Sequence, residues 1–183
     1  SPRRGVLMPV HQWALGREWR VYQKLGEVEG IPKCFGETSD GLVLEAMEGR
    51  PLSEFRKGEI SAKFLDLLDG AISAIHSRGV VHSDLKKRDN ILVLENQEKG
   101  TAGTQRPVIV DFGAAFVEGE WLYETFRRVD LAAAAKLRAH HQPQTLRPEQ
   151  RQLLDHPTWA ERLSRFLIHT IRDPFRRIMD AWL

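Results

Sequence analysis

Apolar residues recur along this chain with two different periods, and the switches between them outline its elements. In residues 16–25 a helical period puts Trp19, Tyr22 and Leu25 on one face, which predicts a helix. Residues 31–37 and 42–45 are short apolar runs around Asp40-Gly41, a dipeptide that favours hairpin turns, and they predict two strands. Ile60, Phe64, Leu67, Leu68, Ala71, Ile72 and Ile75 follow the three-and-four spacing of a helix buried along one stripe. Ser61 or Glu59 would cap that helix, and Gly79 would stop it. Two further apolar strands are expected at Ile91-Leu92-Val93 and Val108-Ile109-Val110, separated by a polar, mobile loop over residues 96–106. A helix follows over residues 130–137, and Asp173-Pro174 divides the last region into two more.

The residues with chemistry to offer stand at the ends of these apolar elements. Val80-Val81-His82-Ser83-Asp84-Leu85-Lys86-Lys87-Arg88-Asp89-Asn90 leads into the strand at Ile91, and Asp111-Phe112-Gly113 follows the strand at Val110. Phosphoryl transfer from a nucleotide needs a carboxylate to orient and deprotonate the attacking hydroxyl, and oxygen ligands to hold magnesium on the phosphates. Asp84 suits the first role, and Asn90 with Asp111 suits the second.

In this order and at these places the two motifs resemble the catalytic half of the protein-kinase-like superfamily. The resemblance implies an α+β, protein-kinase-like fold with a reduced N-lobe (residues 1–48) and a mainly helical C-lobe (residues 49–183). It implies ATP and magnesium as cofactors. Asp84 would be the base, Lys86 would contact the transferred phosphate, and Asn90 and Asp111 would hold the metal. Glu18 looks like the regulatory-helix acid that pairs with an ATP-clamping lysine; the alternative is an ordinary first-turn glutamate favoured by the helix dipole. The stretch Glu45-Ala46-Met47-Glu48 resembles the hinge between kinase lobes, where the Glu45 carbonyl and the Met47 amide would bind the adenine edge. His82 would brace the loop. Asp130 either supports the loop backbone from below or caps a surface helix.

One spacing departs from the family. Kinases usually place the metal-binding Asn five residues after the catalytic Asp, but here Asp89 is fifth and Asn90 sixth. The strand register favours Asn90, with one residue inserted before it. Asp89 stays as the alternative, since a carboxylate binds magnesium at least as well as an amide oxygen.

Other departures narrow the resemblance. Only residues 114–129 separate Gly113 from Asp130, and no Ala-Pro-Glu closes a peptide-docking segment. The wording around Asn90 and after Gly113 looks most like bacterial lipopolysaccharide-core sugar kinases, with RIO-type atypical kinases further away; an aminoglycoside-type small-molecule kinase fits that continuation less well. The expected acceptor is therefore a hydroxyl, on a lipopolysaccharide-core sugar or a protein Ser/Thr. Nothing before Glu18 provides a Gly-rich loop or a strand lysine. A chain opening at Ser1 without these parts is expected to be a fragment of a longer kinase, a natural member lacking them, or a protein whose clamp comes from elsewhere. The alternative function is a pseudokinase or scaffold that binds a partner without turnover. Two strands and a helix make a poor independent lobe, so the N-terminal region should be the softest part.

Composition adds limits. At 183 residues and 42% hydrophobic content, the chain supports one domain, or one kinase core with unequal lobes. A single cysteine, Cys34, excludes an internal disulfide and suits a reducing cytoplasm; in a strand, it should be a buried structural thiol. A net charge of +2 is too small to argue for nucleic acid. No apolar run has membrane-spanning length and no secretory leader is visible, so a cytoplasmic protein is expected. Arg162, Arg165, Arg172, Arg176 and Arg177 interleave with apolar residues, a pattern of either a solvated core helix or a peripheral membrane contact.

Overall fold

The computed structural model describes residues 4–38, 41–96 and 104–155. Helix α1 (Arg4–Leu25) leads to the strands β1 (Cys34–Glu37) and β2 (Leu42–Leu44), followed by β3 (Arg50–Pro51), α2 (Ala62–Ser77) and β4 (Val80–Val81). Then come β5 (Ile91–Asn96), β6 (Thr104–Ile109), β7 (Phe116–Val117), α3 (Tyr123–His141) and α4 (Pro148–Asp155). Three small antiparallel sheets result: β1-β2, β3-β5-β6 and β4-β7.

Helix α2 begins as its sequence asks, with the Ser61 hydroxyl accepting the Phe64 N–H at 3.1 Å, while Glu59 bonds the Arg56 N–H instead. Gly79 stops it just past Ser77, with a φ of +63° that glycine adopts without the cost a side chain would add. A Cβ there would also meet Glu118 Oε2 at 2.8 Å. The buried stripe differs at one position: Leu67 faces solvent, and Leu65 takes its place beside Phe64 and Leu68. Phe64, Leu68, Ile72 and Ile75 centre the stripe towards Leu65, which leaves Leu67 just beyond its edge.

Several elements run longer than their side chains predict. Helix α1 reaches back to Arg4, through Pro9 and Gly16, two helix-disfavouring residues that made Gly16 look like its start. Strands β5 and β6 extend into the stretch expected to be a mobile loop, pairing Glu95 with Gln105 and Asn96 with Thr104. Ladder hydrogen bonds use the backbone, so polar side chains can continue a hairpin that faces water. Helix α3 exceeds its predicted 130–137 at both ends, and α4 carries no apolar pattern strong enough to announce it. Asp40 and the basic C-terminal region with Asp173-Pro174 lie outside the described residues.

One core joins the ends of the described chain. Val21, Tyr22 and Leu25 of α1 pack in the same cluster as Phe64, Leu68 and Ile75 of α2, Ile91, Ile109 and Phe112. A second cluster of Val81, Leu122, Tyr123, Phe126 and Val129 lies around β4 and the start of α3. Cys34 is half-buried rather than buried, its thiol donating to the Gly36 carbonyl at 3.8 Å, and burial pushes its pKa up. No helix among the described residues is long and apolar enough to cross a membrane.

Candidate active site

Two antiparallel registers assemble the site. Ile91 pairs with Ile109, so the residue before β5 and the residues after β6 emerge at the same end of that hairpin. Those residues are Asn90 and Val110-Asp111, and the Val110 N–H donates to the Asn90 carbonyl at 2.9 Å. Val81 pairs with Phe116, which brings His82-Ser83-Asp84 alongside Phe112-Gly113-Ala114. The Ser83 hydroxyl then donates to the Ala114 carbonyl at 2.8 Å.

Within this frame Asp84 and Asn90 touch. The Asn90 amide nitrogen donates to the Asp84 carbonyl at 3.2 Å and to its Oδ2 at 3.3 Å, and both residues are buried. Because the amide nitrogen is taken by Asp84, the Asn90 Oδ1 is left as an acceptor for a cation. Asp89 is exposed and accepts a hydrogen bond from Ser53, outside this cluster. Asp111 is exposed, with its main chain at φ +66°. Left-handed geometry costs a non-glycine residue on the order of 1–3 kcal/mol and persists only where surrounding contacts hold it. Ser83, at φ +70°, is the second such residue, next to Asp84.

The loop rests on Asp130. That carboxylate is 1% exposed and accepts the His82 N–H at 2.7 Å and the Ser83 N–H at 2.9 Å, with His76 Nε2 at 3.2 Å. Of the two readings open from the sequence, support from below is the one realised, and no surface cap is formed. His82 bridges the two strand ends: its Nε2 donates to the Val110 carbonyl at 3.0 Å and its Nδ1 accepts the Asp84 N–H at 3.3 Å. The imidazole also packs on Phe112, with centroids 4.9 Å apart.

Glu18 reaches the neighbourhood of Asp111 from α1. Burial first, and the Asp111 charge second, raise its pKa, while the Phe112 N–H bonded to its carboxylate pulls the other way. Among the described residues Glu18 forms no ion pair with a cation. Its neighbour Arg17, which carried no expected role, locks α1 onto the segment after Gly113 through the Ala115 carbonyl (2.9 Å) and Glu120 (2.8 Å).

Two lysines stand on the loop between Asp84 and Asn90. Lys86 is exposed, and Lys87 is the lysine whose Nζ approaches Asp111, 3.9 Å from Oδ2. The signal was present in the spacing: in the kinase pattern one lysine stands two after the Asp and three before the Asn. With the inserted residue, Lys86 satisfies the first count and Lys87 the second. At the expected hinge, the Glu45 N–H donates to the Lys33 carbonyl at 2.8 Å and the Glu45 side chain accepts the Lys33 N–H at 3.1 Å. The Met47 carbonyl accepts the Gly49 N–H at 3.1 Å. Gly49 is pressed on β5 so tightly that a Cβ would meet Leu94 Cδ1 at 2.8 Å, which holds this segment against the hairpin bearing Asn90 and Asp111.

The donor set fits magnesium better than a transition metal. Among the described residues no three His, Cys, Asp or Glu side chains gather into a metal cluster. Magnesium is usually held by one or two protein oxygens plus phosphates and water, which is what Asn90 Oδ1 and Asp111 offer. A separate groove of about 300 Å³ between α2 and β6, lined by Asp66, Gly70, Ala74, Arg106 and Pro107, contains none of these residues.

Known structures share this architecture. The Rio2 kinase from Chaetomium thermophilum, solved as an ADP/Mg2+-phosphoaspartate complex, matches 89% of this chain and 50% of its own, with a TM-score of 0.65 and 17% identity. A second structure of the Rio2 kinase from that organism matches 90% of this chain and 52% of its own, with a TM-score of 0.65 and 18% identity. The chain thus spans about half the length of these kinases. No family model matches the sequence. At such identities the likeness establishes the fold, which is protein-kinase-like with a mainly helical larger part.

Proposed function

We propose that this chain is the catalytic part of an ATP- and magnesium-dependent phosphotransferase acting on a hydroxyl acceptor. The observation that carries the reading is the convergence of Asp84, Asn90 and Asp111 where the β5–β6 hairpin and the β4–β7 pair end, with the Asn90 amide on Asp84 and the Val110 N–H on the Asn90 carbonyl. Asp84 takes the proton of the attacking hydroxyl, held in orientation by the Asn90 amide. Asn90 Oδ1 and Asp111 hold magnesium, which when bound supplies positive charge beside the phosphates. The Glu45 carbonyl and Met47 amide receive the adenine edge, and Glu18 pairs with a phosphate-clamping cation. Lys86, exposed on the same loop, is the expected contact to the transferred phosphate.

For the acceptor, the short segment after Gly113, with no Ala-Pro-Glu to dock a peptide, supports a lipopolysaccharide-core sugar ahead of a protein Ser/Thr, and the single cysteine suits a cytoplasmic setting. The nucleotide pair seen with Rio2, ADP and Mg2+, supports the same cofactors here. One observation favours the second reading, a scaffold without turnover: Glu18 faces Asp111 and the Phe112 N–H, and no described cation forms an ion pair with it. Radiolabelled ATP with a panel of sugar-lipid, peptide and small hydroxyl acceptors separates the two. Transfer is expected, and Asp84→Asn should lower it by roughly 10²–10⁴ without changing the melting temperature. ATP binding without transfer to any acceptor by the parent would decide for the scaffold, and equal transfer by the parent and Asp84→Asn would overturn Asp84 as the base.

A further inference from the structure

The pairing of Lys87 with Asp111 has a geometry suited to exchange. Its 3.9 Å separation is longer than the roughly 2.7–2.9 Å of a closed charge-assisted hydrogen bond. The two side chains are 33% and 47% exposed, so the pair is weak and solvent-screened. The stem of Lys87 is anchored nonetheless: its N–H donates to the Asp84 carbonyl at 3.1 Å and its carbonyl accepts the Asn90 N–H at 2.9 Å. The compact ammonium thus stands on a flexible four-carbon stem whose root is fixed between Asp84 and Asn90. The other charge near Asp111 is the Glu18 carboxylate, so the ammonium offsets a pair of acids.

We propose that Lys87 is the resident counter-ion of Asp111, that a divalent cation displaces it, and that the freed ammonium then pairs with the nucleotide phosphates. The inference rests on the phosphotransferase reading above and deepens it. A dication at Asp111 wins over a monocation by charge and by direct oxygen coordination, and it repels the ammonium it replaces. The nearest place for that ammonium, rooted between Asp84 and Asn90, is beside the phosphates that the cation brings. Lysine suits a change of partner, where an arginine fork would be held by bidentate geometry.

The two steps predict changes of opposite sign in one variant. Mn2+ serves as a paramagnetic probe, titrated into the whole chain without nucleotide and then with ADP. Lys87→Met removes the competitor and should tighten Mn2+ alone by about twofold to fivefold, the range of an exposed ion pair. The same variant should weaken ADP in the presence of Mn2+ by about fivefold or more, the loss of a charged hydrogen bond. Lys87→Arg should bind Mn2+ more weakly than the parent, because the fork holds Asp111 more firmly, and Asp111→Asn should lose Mn2+ binding. Unchanged Mn2+ affinity in Lys87→Met, with Asp111→Asn still defective, overturns the exchange alone. A tightened Mn2+ site with unchanged ADP affinity overturns the transfer of the ammonium to phosphate. No Mn2+ binding by the parent or by Lys87→Met overturns the metal site and the exchange together. Matching melting temperatures for parent and Lys87→Met keep a folding defect out of the comparison.

Discussion

Replacing Asp130 by alanine should unfold this protein far more readily than the loss of a helix cap would. The carboxylate accepts two buried main-chain N–H groups, from His82 at 2.7 Å and Ser83 at 2.9 Å, and meets His76 Nε2 at 3.2 Å. Alanine leaves two donors buried without partners, each costing about 1–3 kcal/mol. It also removes the support under Ser83, whose φ of +70° is tolerated only while its N–H and hydroxyl are held. These groups form one network, so their costs do not simply add, and a net loss of about 3–5 kcal/mol is expected. For a domain of this size that lowers the melting temperature by roughly 6–20 °C. A surface cap would cost only about 1 kcal/mol. Urea unfolding followed by circular dichroism gives the difference directly, provided the slope against denaturant is unchanged. A loss of about 1 kcal/mol or less would refute the account, because it would mean that the loop backbone finds other partners.

Two titrating groups give further tests. Glu18 ionises at greater cost folded than unfolded, since burial and then Asp111 raise its pKa; the stability present below its ordinary value of 4.5 is lost as pH rises through the raised one. Glu18→Gln keeps the acceptor for Phe112 and should raise the melting temperature at pH 7 by about 1–3 °C, discounted for solvent screening, with no gain left at pH 4; a drop at pH 7 would show that a cation already answers the carboxylate. His141, buried and with neither ring nitrogen hydrogen-bonded among the described residues, has its pKa lowered by burial, then by His140 and Arg88, with the nearby Arg56 main chain opposing weakly. Its neutral form contributes stability above the ordinary value of 6.5 that is lost as pH falls through that value and levels off beneath the lowered one. His141→Leu should therefore flatten the urea midpoint between about pH 7 and 5.5, and parallel curves would exclude the group.

The fold was legible wherever side chains alone carried the pattern. The α2 stripe, the Ser61 cap and the Gly79 stop follow from local rules, because a helix buries one face and must satisfy its first N–H groups. What escaped was structure made by the main chain. The hairpin continues through Glu95, Asn96, Thr104 and Gln105, polar residues whose backbones pair, with the Glu95 and Thr104 side chains exposed. Leu67 and Leu65 exchanged places because the stripe's centre depends on what α2 packs against, and α3 is enclosed nearly all round at Ala132, Ala133, Ala134 and Ala135, so it carries no strong period of its own.

The site divides along the same line. Asp84, Asn90 and Asp111 could be named in advance, since each chemistry requires a residue type at a strand end. Their mutual placement could not, because it comes from two registers, Ile91 with Ile109 and Val81 with Phe116, set by pairings between distant segments. The same holds for Asp130 under the loop, Arg17 on Glu120 and Lys87 at Asp111: each bridges segments that sequence proximity does not join. The two non-glycine residues at positive φ among the described residues, Ser83 and Asp111, lie next to and within the candidate triad. Strain of that kind is sustained only by a surrounding network, here Asp130, His82 and the Ala114 carbonyl. The buried polar groups beneath the site are therefore what keeps two costly backbone conformations in place, whereas Lys87, a third exposed, meets Asp111 only across 3.9 Å.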